Sequence, residues 1–175
     1  AKYSAYRERA IGIGVLGFHT YLQQNNIPFE SALAKSRNIQ IFKNMNMMLD
    51  KANYQLGKER GNCPDFDEGN RNATIGEKLY KRFSHVMAIA PTASTSILMG
   101  NISPSIEPVR ANAYRQDTMS GSHLNKNHIL DELIGKKCLE NKKLNYDDIW
   151  MDIITNDGSI QHMDMFSDDE KLVFK

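Results

Sequence analysis

A five-residue apolar run that ends at a proline and is followed at once by hydroxyl side chains most constrains the fold of this chain. The run is Val-Met-Ala-Ile-Ala at 86–90, and Pro91 ends it. This length and the following proline predict a fully buried strand of a sheet covered by helices. In α/β folds, ligands bind beyond the carboxyl ends of such strands. We therefore expect a ligand loop directly after Ala90.

The residues after this strand favour a phosphate-binding loop. Hydroxyls stand at Thr92, Ser94, Thr95 and Ser96, with Ala93 between them. Small side chains let the backbone approach a ligand, hydroxyl and N–H groups donate to phosphate oxygens, and a helix starting here would add its positive end. From the residues alone, a Ser/Thr-rich turn with a serine helix cap explains the pattern equally well.

Most of the remaining chain has helical patterning. Pro28 and Ser31 are start signals for a helix from about Ser31 to Arg60, in which apolar residues recur at helical spacing and which Gly61 ends. We expect its methionines to fill the core rather than line a ligand surface. Further helices are expected at about 75–83, 128–138 and 146–155.

Other segments predict short strands, turns and loops. We expect a short buried strand leading into a helix at 10–22, a surface loop at 65–74, an extended ribbon at 111–124 and a turn at 156–158. Ser167 and Glu170 form a capping box that starts a last helix. Because this helix has fewer than two turns before Lys175, we expect the sequence to be cut there.

The glycines at Gly12, Gly14 and Gly17 match the dinucleotide-binding pattern G-x-G-x-x-G. That pattern follows a hydrophobic strand and needs an acidic residue about 20 positions later. Neither is present, because the polar run at 6–9 precedes Gly12 and the region around Arg37 offers no acid. Glycines that allow close packing of a strand and a helix explain the pattern better.

Charge and length favour a cytoplasmic protein with no nucleic-acid or membrane partner. The formal net charge is +1, and no apolar run approaches the roughly 20 residues that span a bilayer. The 175 residues fit one domain of ordinary size or a piece of a larger one. Cys63 and Cys138 lack metal or disulfide spacing, and the five histidines form no metal-binding pair. We expect no metal and treat both cysteines as structural.

Several segments together resemble one enzyme family in their order along the chain. They are RAIGIGVLG at 9–17, PFESA at 28–32, KERG at 58–61, APTASTS at 90–96, SIEP at 105–108 and NDGSIQ at 156–161. As an ordered set they resemble the large subunit of class I ribonucleotide reductases, most closely the eukaryotic and phage type. The resemblance implies that residues 1–175 form a single partial domain, the C-terminal part of a helix-rich, ten-stranded α/β barrel. This barrel contributes to radical reduction of ribonucleoside diphosphates to deoxyribonucleotides.

The resemblance also implies the site and its partners. It assigns substrate phosphate binding to Pro91, Thr92, Ala93, Ser94, Thr95 and Ser96. The implied partners are a ribonucleoside diphosphate, the N-terminal remainder of the large subunit, a small radical-generating subunit and a second large subunit in a homodimer. The family's metal-radical cofactor belongs to the small subunit and its effectors are nucleoside triphosphates, so we expect no cofactor within this chain.

The sequence departs from the family in its reactive groups. The radical cysteine of the family lies in an N-x-C-x-E motif, which this sequence lacks, so we predict no catalytic residue here and an inactive chain when it is alone. The alternative function is a stand-alone phosphate-binding or nucleotide-binding module without catalysis, which would need a self-contained core. An oxidoreductase built on the three glycines is a weaker alternative.

Overall fold

The computed structural model describes residues 1–69, 79–118 and 121–175 of a helix-rich chain. Its Cα positions divide into two compact units, residues 1–14 with 36–90 and residues 15–35 with 91–175. The elements are α1 (Lys2–Glu8), α2 (Phe18–Gln24), α3 (Ala32–Arg60), α4 (Pro64–Gly69), α5 (Ala93–Leu98), β1 (Ala113–Thr118), β2 (Gly121–Lys126), α6 (His128–Glu140), α7 (Tyr146–Thr155) and α8 (Asp168–Val173). That residues 1–175 form a single partial domain stays a prediction.

The first unit contains a short parallel pairing where two buried strands were predicted. Ile13 forms an isolated parallel bridge with Met87. The N–H of Ile13 donates to the carbonyl of Val86 at 3.0 Å, and the N–H of Ala88 donates to the carbonyl of Ile13 at 3.2 Å. Both segments are therefore extended and adjacent, as the apolar patterns predicted.

The predicted burial of these two segments is wrong for this chain. Ile89 is 66% exposed and Ile13 is 43% exposed. A parallel strand is buried only when neighbours cover both of its edges and other layers cover both of its faces. Within the part of the chain that the structure describes, the run at 86–90 is paired through one bridge only.

The long helix α3 confirms the predicted helix from about Ser31 to Arg60. The Ser31 hydroxyl accepts a hydrogen bond from the N–H of Ala34 at 3.1 Å, and Gly61 ends the helix with φ of 80°. The expectation that its methionines fill the core is wrong for Met47 and Met48, which are 46% and 57% exposed. Helical spacing shows which residues share a stripe, but not what covers it.

The predicted helix at 75–83 is wrong over its described part. Residues 79–83 are not helical. Backbone groups of Lys81 and Phe83 form hydrogen bonds with asparagine side chains instead of with each other. The side-chain amide of Asn53 donates to the carbonyl of Phe83 at 3.0 Å, and its oxygen accepts from the N–H of Phe83 at 2.9 Å. The N–H of Lys81 donates to the side chain of Asn62 at 2.8 Å. Residues 75–78 lie outside the described residues.

The predicted loop at 65–74 is partly helical. Residues up to Gly69 belong to α4, and residues 70–74 lie outside the described residues. Arg7 of α1 binds the carboxylates of Asp65 and Glu68 on α4. This contact between distant residues explains why local patterning did not predict α1 and α4.

The second unit has its hydrophobic core among α6, α7 and α8. Leu130, Ile134, Trp150, Ile153 and Ile160 are fully buried there. Local capping fixes where each helix starts: Asn127 caps α6, Asn145 caps α7, and Ser167 with Glu170 forms the predicted capping box of α8. All three predicted helix starts are confirmed.

The predicted ribbon at 111–124 is an antiparallel hairpin of β1 and β2. Ala113 pairs with Lys126, and Arg115 pairs with Leu124. The predicted turn at 156–158 is confirmed, with Asp157 and Gly158 at φ of 56° and 81°. No helix in residues 1–69, 79–118 and 121–175 combines the length and apolarity that crossing a bilayer requires.

Candidate functional site: a hydroxyl-rich loop

The hydroxyl-rich segment forms an exposed turn at the start of α5. Thr92 occupies the N-cap position of this helix. Thr92 is half-buried and Ser96 is buried, and the exposed members of the segment are Pro91, Ala93, Ser94 and Thr95. The structure therefore brings the six predicted site residues together, four of them open to solvent.

Three backbone amides of this turn are available to a ligand. The first N–H groups of a helix have no intrahelical acceptor. No described residue accepts a hydrogen bond from the N–H groups of Ala93, Ser94 or Thr95. Because the hydroxyls of Ser94 and Thr95 are also exposed, the turn concentrates hydrogen-bond donors on a small surface.

Ser96 differs from its neighbours because both of its donors are used inside the protein. Its hydroxyl donates to the carbonyl of Ala93 at 2.8 Å. Its N–H donates to the carbonyl of Thr92 at 2.8 Å. These bonds order the turn, and neither proton is left for a ligand.

The Thr92 hydroxyl is held by a residue 13 positions away. Its oxygen accepts a hydrogen bond from the N–H of Ser105 at 2.7 Å. A hydroxyl carries one proton and two acceptor lone pairs. Since Thr92 accepts here, its own proton remains available for a second acceptor, such as a phosphate oxygen.

A cavity of about 350 Å³ adjoins this turn within the second unit. Ala93 and Ser96 line it on the α5 side, and Arg110, Tyr114 and Arg115 line it from the hairpin side. The Tyr114 hydroxyl donates to the side-chain oxygen of Asn101 at 3.2 Å. Asp117 also lines the cavity and lies 3.5 Å from the Arg115 guanidinium, so the lining carries both signs of charge.

The three glycines allow close packing, but against extended and loop segments and not, as predicted, between a strand and a helix. A Cβ atom on Gly12 would lie 2.7 Å from the Cβ of Ala88, and one on Gly14 would lie 2.3 Å from the Ala88 carbonyl oxygen. Residues 11–13 donate backbone hydrogen bonds to residues 85 and 86. This segment is therefore an extended strand partner and not the turn that cradles a dinucleotide.

Among the described residues, the titratable side chains form no second chemical centre. Burial lowers the pKa of His19 to about 4, and its Nδ1 accepts a hydrogen bond from the N–H of Val109 at 3.0 Å. His19 is therefore a neutral, structural acceptor at neutral pH. Cys63 is buried and Cys138 is half-buried, both with free thiols. Across the described residues, no three His, Cys, Asp or Glu side chains gather as a metal site.

Sequence reasoning did not find the residues that support the turn. Thr20, Ser103 and Ser105 are buried and hydrogen-bonded around it. The only local signal is the Ser-Pro-Ser order at 103–105, which is common in turns and carries little information by itself.

Comparison with known proteins places this geometry in a family. A family model described as "Ribonucleotide reductase, barrel domain" matches residues 1–79 and 73–175. The chain is 49% identical over 174 residues to the ribonucleoside-diphosphate reductase large subunit of Invertebrate iridescent virus 6, covering 98% of this chain and 17% of that protein. It is 45% identical over 175 residues to that of Invertebrate iridescent virus 3, covering 100% of this chain and 26% of that protein.

A solved structure has the same fold over the whole chain. The class Id ribonucleotide reductase alpha subunit of Actinobacillus ureae superimposes with a TM-score of 0.81 at 39% identity, covering 100% of this chain and 29% of that one. The chain thus spans between about a sixth and a third of these relatives. The expected fold class, a helix-rich section of an α/β barrel, is confirmed, and the chain belongs to the ribonucleotide reductase barrel-domain family.

Proposed function

We propose that this chain contributes the substrate phosphate-binding loop of a ribonucleoside-diphosphate reductase large subunit. The loop consists of Pro91, Thr92, Ala93, Ser94, Thr95 and Ser96. The observation that carries the proposal is the set of free donors on one exposed turn, the N–H groups of residues 93–95 together with the hydroxyls of Thr92, Ser94 and Thr95. Phosphate oxygens accept hydrogen bonds from such groups.

The loop residues divide into donors and supports. The backbone N–H groups and the exposed hydroxyls would donate to the phosphates. Ser96, whose donors are both engaged, would hold the shape of the turn. Pro91, which has no N–H and a fixed φ, would set the entry of the chain into the turn.

In the whole enzyme, the loop would serve catalysis by positioning. Reduction by the family's radical chemistry requires the ribose to lie against the radical-bearing residue. The N-x-C-x-E motif that carries this residue is not in the sequence, so we assign no catalytic residue to this chain. Holding the diphosphate fixes the ribose, and such positioning contributes as much as roughly 7–11 kcal/mol in favourable cases.

We propose three partners for this chain: the rest of the large subunit, a radical-generating small subunit and a second large subunit. We propose that the enzyme they form lies in the cytoplasm. Apolar side chains that a self-contained module would cover are open in this chain, since Ile89 is 66% exposed, Leu98 85% and Met99 62%. This exposure favours a part of a larger enzyme over a stand-alone phosphate-binding module.

Reconstitution tests the proposal. The chain would be mixed with the complementary segment of the large subunit and a radical-generating small subunit, and reduction of a ribonucleoside diphosphate would be assayed. We expect Ser94→Ala with Thr95→Ala to raise KM for the diphosphate about tenfold, since two donors are lost. Ser4→Ala, at an exposed serine of α1, is the control and should leave KM unchanged. An unchanged KM in the double variant would remove the phosphate role.

A further inference from the structure

We propose that Thr20 and Ser103 are positioning residues for the phosphate loop, an inference that rests on the proposed function. Neither residue lies in the loop at 91–96. They form one end of a chain of hydrogen bonds that runs from α2 through residues 103–105 to the hydroxyl of Thr92. The geometry assigns them the role of fixing the Thr92 side chain so that its hydroxyl proton points to the ligand.

Thr20 and Ser103 bind each other reciprocally. The Thr20 hydroxyl accepts a hydrogen bond from the N–H of Ser103 at 2.8 Å. The Ser103 hydroxyl accepts one from the N–H of Thr20 at 3.1 Å. The two residues are 6% and 0% exposed, so water replaces neither bond. Each side chain therefore supplies an acceptor that its partner's backbone needs.

Backbone bonds extend this pair along the same segment. The N–H of Gly17 donates to the carbonyl of Ser103 at 2.8 Å, and the N–H of Phe18 donates to the carbonyl of Ser105 at 3.3 Å. The amides of the N-cap Gly17 and of Phe18, the first residue of α2, which lack intrahelical acceptors, are thereby satisfied. Residues 103–105 are held against the start of α2 by four hydrogen bonds.

Ser105 transmits this restraint to the loop. It is buried and has φ of 45°, a left-handed conformation that a serine keeps only when its surroundings enforce it. In this conformation its N–H donates to the Thr92 hydroxyl at 2.7 Å. If the contacts of Ser103 are lost, we expect Ser105 to relax and Thr92 to lose its fixed orientation.

The same arrangement accounts for the third glycine of the G-x-G-x-x-G pattern. Gly17 has φ of 81°, and a Cβ at this position would lie 3.0 Å from Cδ1 of Ile102. Ile102 directly precedes Ser103. A side chain at position 17 would therefore press on the segment that supports the loop, and glycine removes that pressure while allowing the left-handed turn.

Pyrophosphate is the probe for the test, and calorimetry measures its affinity for the large subunit reconstituted from this chain and its complementary segment. We expect Thr20→Val and Ser103→Ala each to weaken binding about tenfold. Thr20→Ser keeps the hydroxyl and should restore binding. Because the pair is reciprocal, the double variant should lose little more than either single variant. If Thr20→Val fails to fold, the pyrophosphate affinity of Ser103→Ala is compared with that of the wild type instead.

A matched control separates positioning from general destabilisation. Ser167→Ala removes the cap of α8 and should lower stability without changing pyrophosphate affinity. Amide hydrogen exchange supplies a second readout: the Ser105 N–H should lose protection in Ser103→Ala and keep it in Ser167→Ala. Unchanged pyrophosphate affinity and unchanged protection of the Ser105 N–H in Ser103→Ala would overturn this inference but not the proposed function. A wild-type reconstituted large subunit that binds no pyrophosphate would overturn the proposed function and the inference with it.

Discussion

The side-chain oxygen of Asn112 accepts a hydrogen bond from Nδ2 of Asn127 at 3.0 Å, which joins the start of the hairpin to the cap of α6. The Asn112 amide also donates to the carbonyl of Gly158 at 3.0 Å and to that of Phe174 at 2.8 Å. Asn112 is 3% exposed. One buried amide therefore ties together four separate parts of the second unit.

Replacing Asn112 with alanine should strongly destabilise the second unit. The change removes three side-chain hydrogen bonds and leaves the buried Phe174 carbonyl without the partner that Asn112 supplies, so we expect a loss of about 3 kcal/mol in the free energy of unfolding. Urea denaturation followed by circular dichroism measures it. Asn46→Ala, which removes an exposed asparagine of α3, should change stability by less than about 0.5 kcal/mol. Equal effects of the two substitutions would contradict this role.

The buried His19 should make stability depend on pH. Its pKa is about 4 in the folded chain, against 6.5 when unperturbed, because burial disfavours the charged ring. Between these values the unfolded chain binds the proton more readily. The stabilisation is therefore complete above pH 6.5 and is lost as pH falls towards 4, by as much as about 3 kcal/mol.

The substitution His19→Asn isolates this dependence. An asparagine oxygen can accept from the Val109 N–H but cannot take up the proton, so the slope of unfolding free energy between pH 4 and 6.5 should decrease. Denaturation in urea at several pH values gives that slope. His123→Asn, at an exposed position of β2, should retain the wild-type slope. If His19→Asn also retains the wild-type slope, His19 is not the source of the pH dependence.

Glu170 should contribute stability that acid removes. Burial alone would raise its pKa, but the N–H of Ser167 and the ammonium of Lys137, 3.0 Å away, lower it overall. A carboxylate with a lowered pKa stabilises above its unfolded pKa and loses that contribution as pH falls through the folded value. We expect Glu170→Gln to cost about 1 kcal/mol at pH 7 and less in acid. Glu132→Gln, at an exposed site on α6, should cost nothing measurable. A cost for Glu170→Gln that does not change with pH would argue against the ion pair.

Two glycines should respond to alanine in opposite directions. In Gly14→Ala the new Cβ would meet the Ala88 carbonyl oxygen at 2.3 Å, so we expect a loss of at least about 2 kcal/mol. Gly135 lies inside α6 with nothing within 4 Å of a new Cβ, and Gly135→Ala should stabilise by about 0.5–1 kcal/mol. Thermal denaturation compares them. Stabilisation by Gly14→Ala would exclude the close approach.

The parts of the fold that local sequence determines were predicted well. Asn156, Gly158 and the capping box at Ser167 act within a few residues, so their patterns identify the turn and the helix start. The long helix α3 was predicted for the same reason, since its spacing and its terminal glycine lie in one stretch of sequence.

The predictions that failed depend on distant contacts. Residues 86–90 are buried only if other helices or strands cover them, and the five-residue pattern does not show whether such elements are present. Ile89 is exposed in this chain. The Thr92 hydroxyl binds Ser105, and Thr20 binds Ser103 across 83 positions, which no local pattern predicts. The phosphate role of the loop at 91–96 was predicted from the family resemblance, since composition and position alone fit a capped turn equally well, and it stays a prediction; the contacts that hold the turn required the structure.

Titrating the reconstituted large subunit, in which only this chain is isotopically labelled, with pyrophosphate tests directly whether the turn at 91–96 binds phosphate. Two-dimensional ¹H–¹⁵N nuclear magnetic resonance reports each amide separately. We expect the largest, saturable shifts at the N–H groups of Ala93, Ser94 and Thr95, and we expect Ser94→Ala with Thr95→Ala to raise the Kd about tenfold. Saturable shifts confined to other residues, or no shift at these three amides, would contradict phosphate binding at this turn.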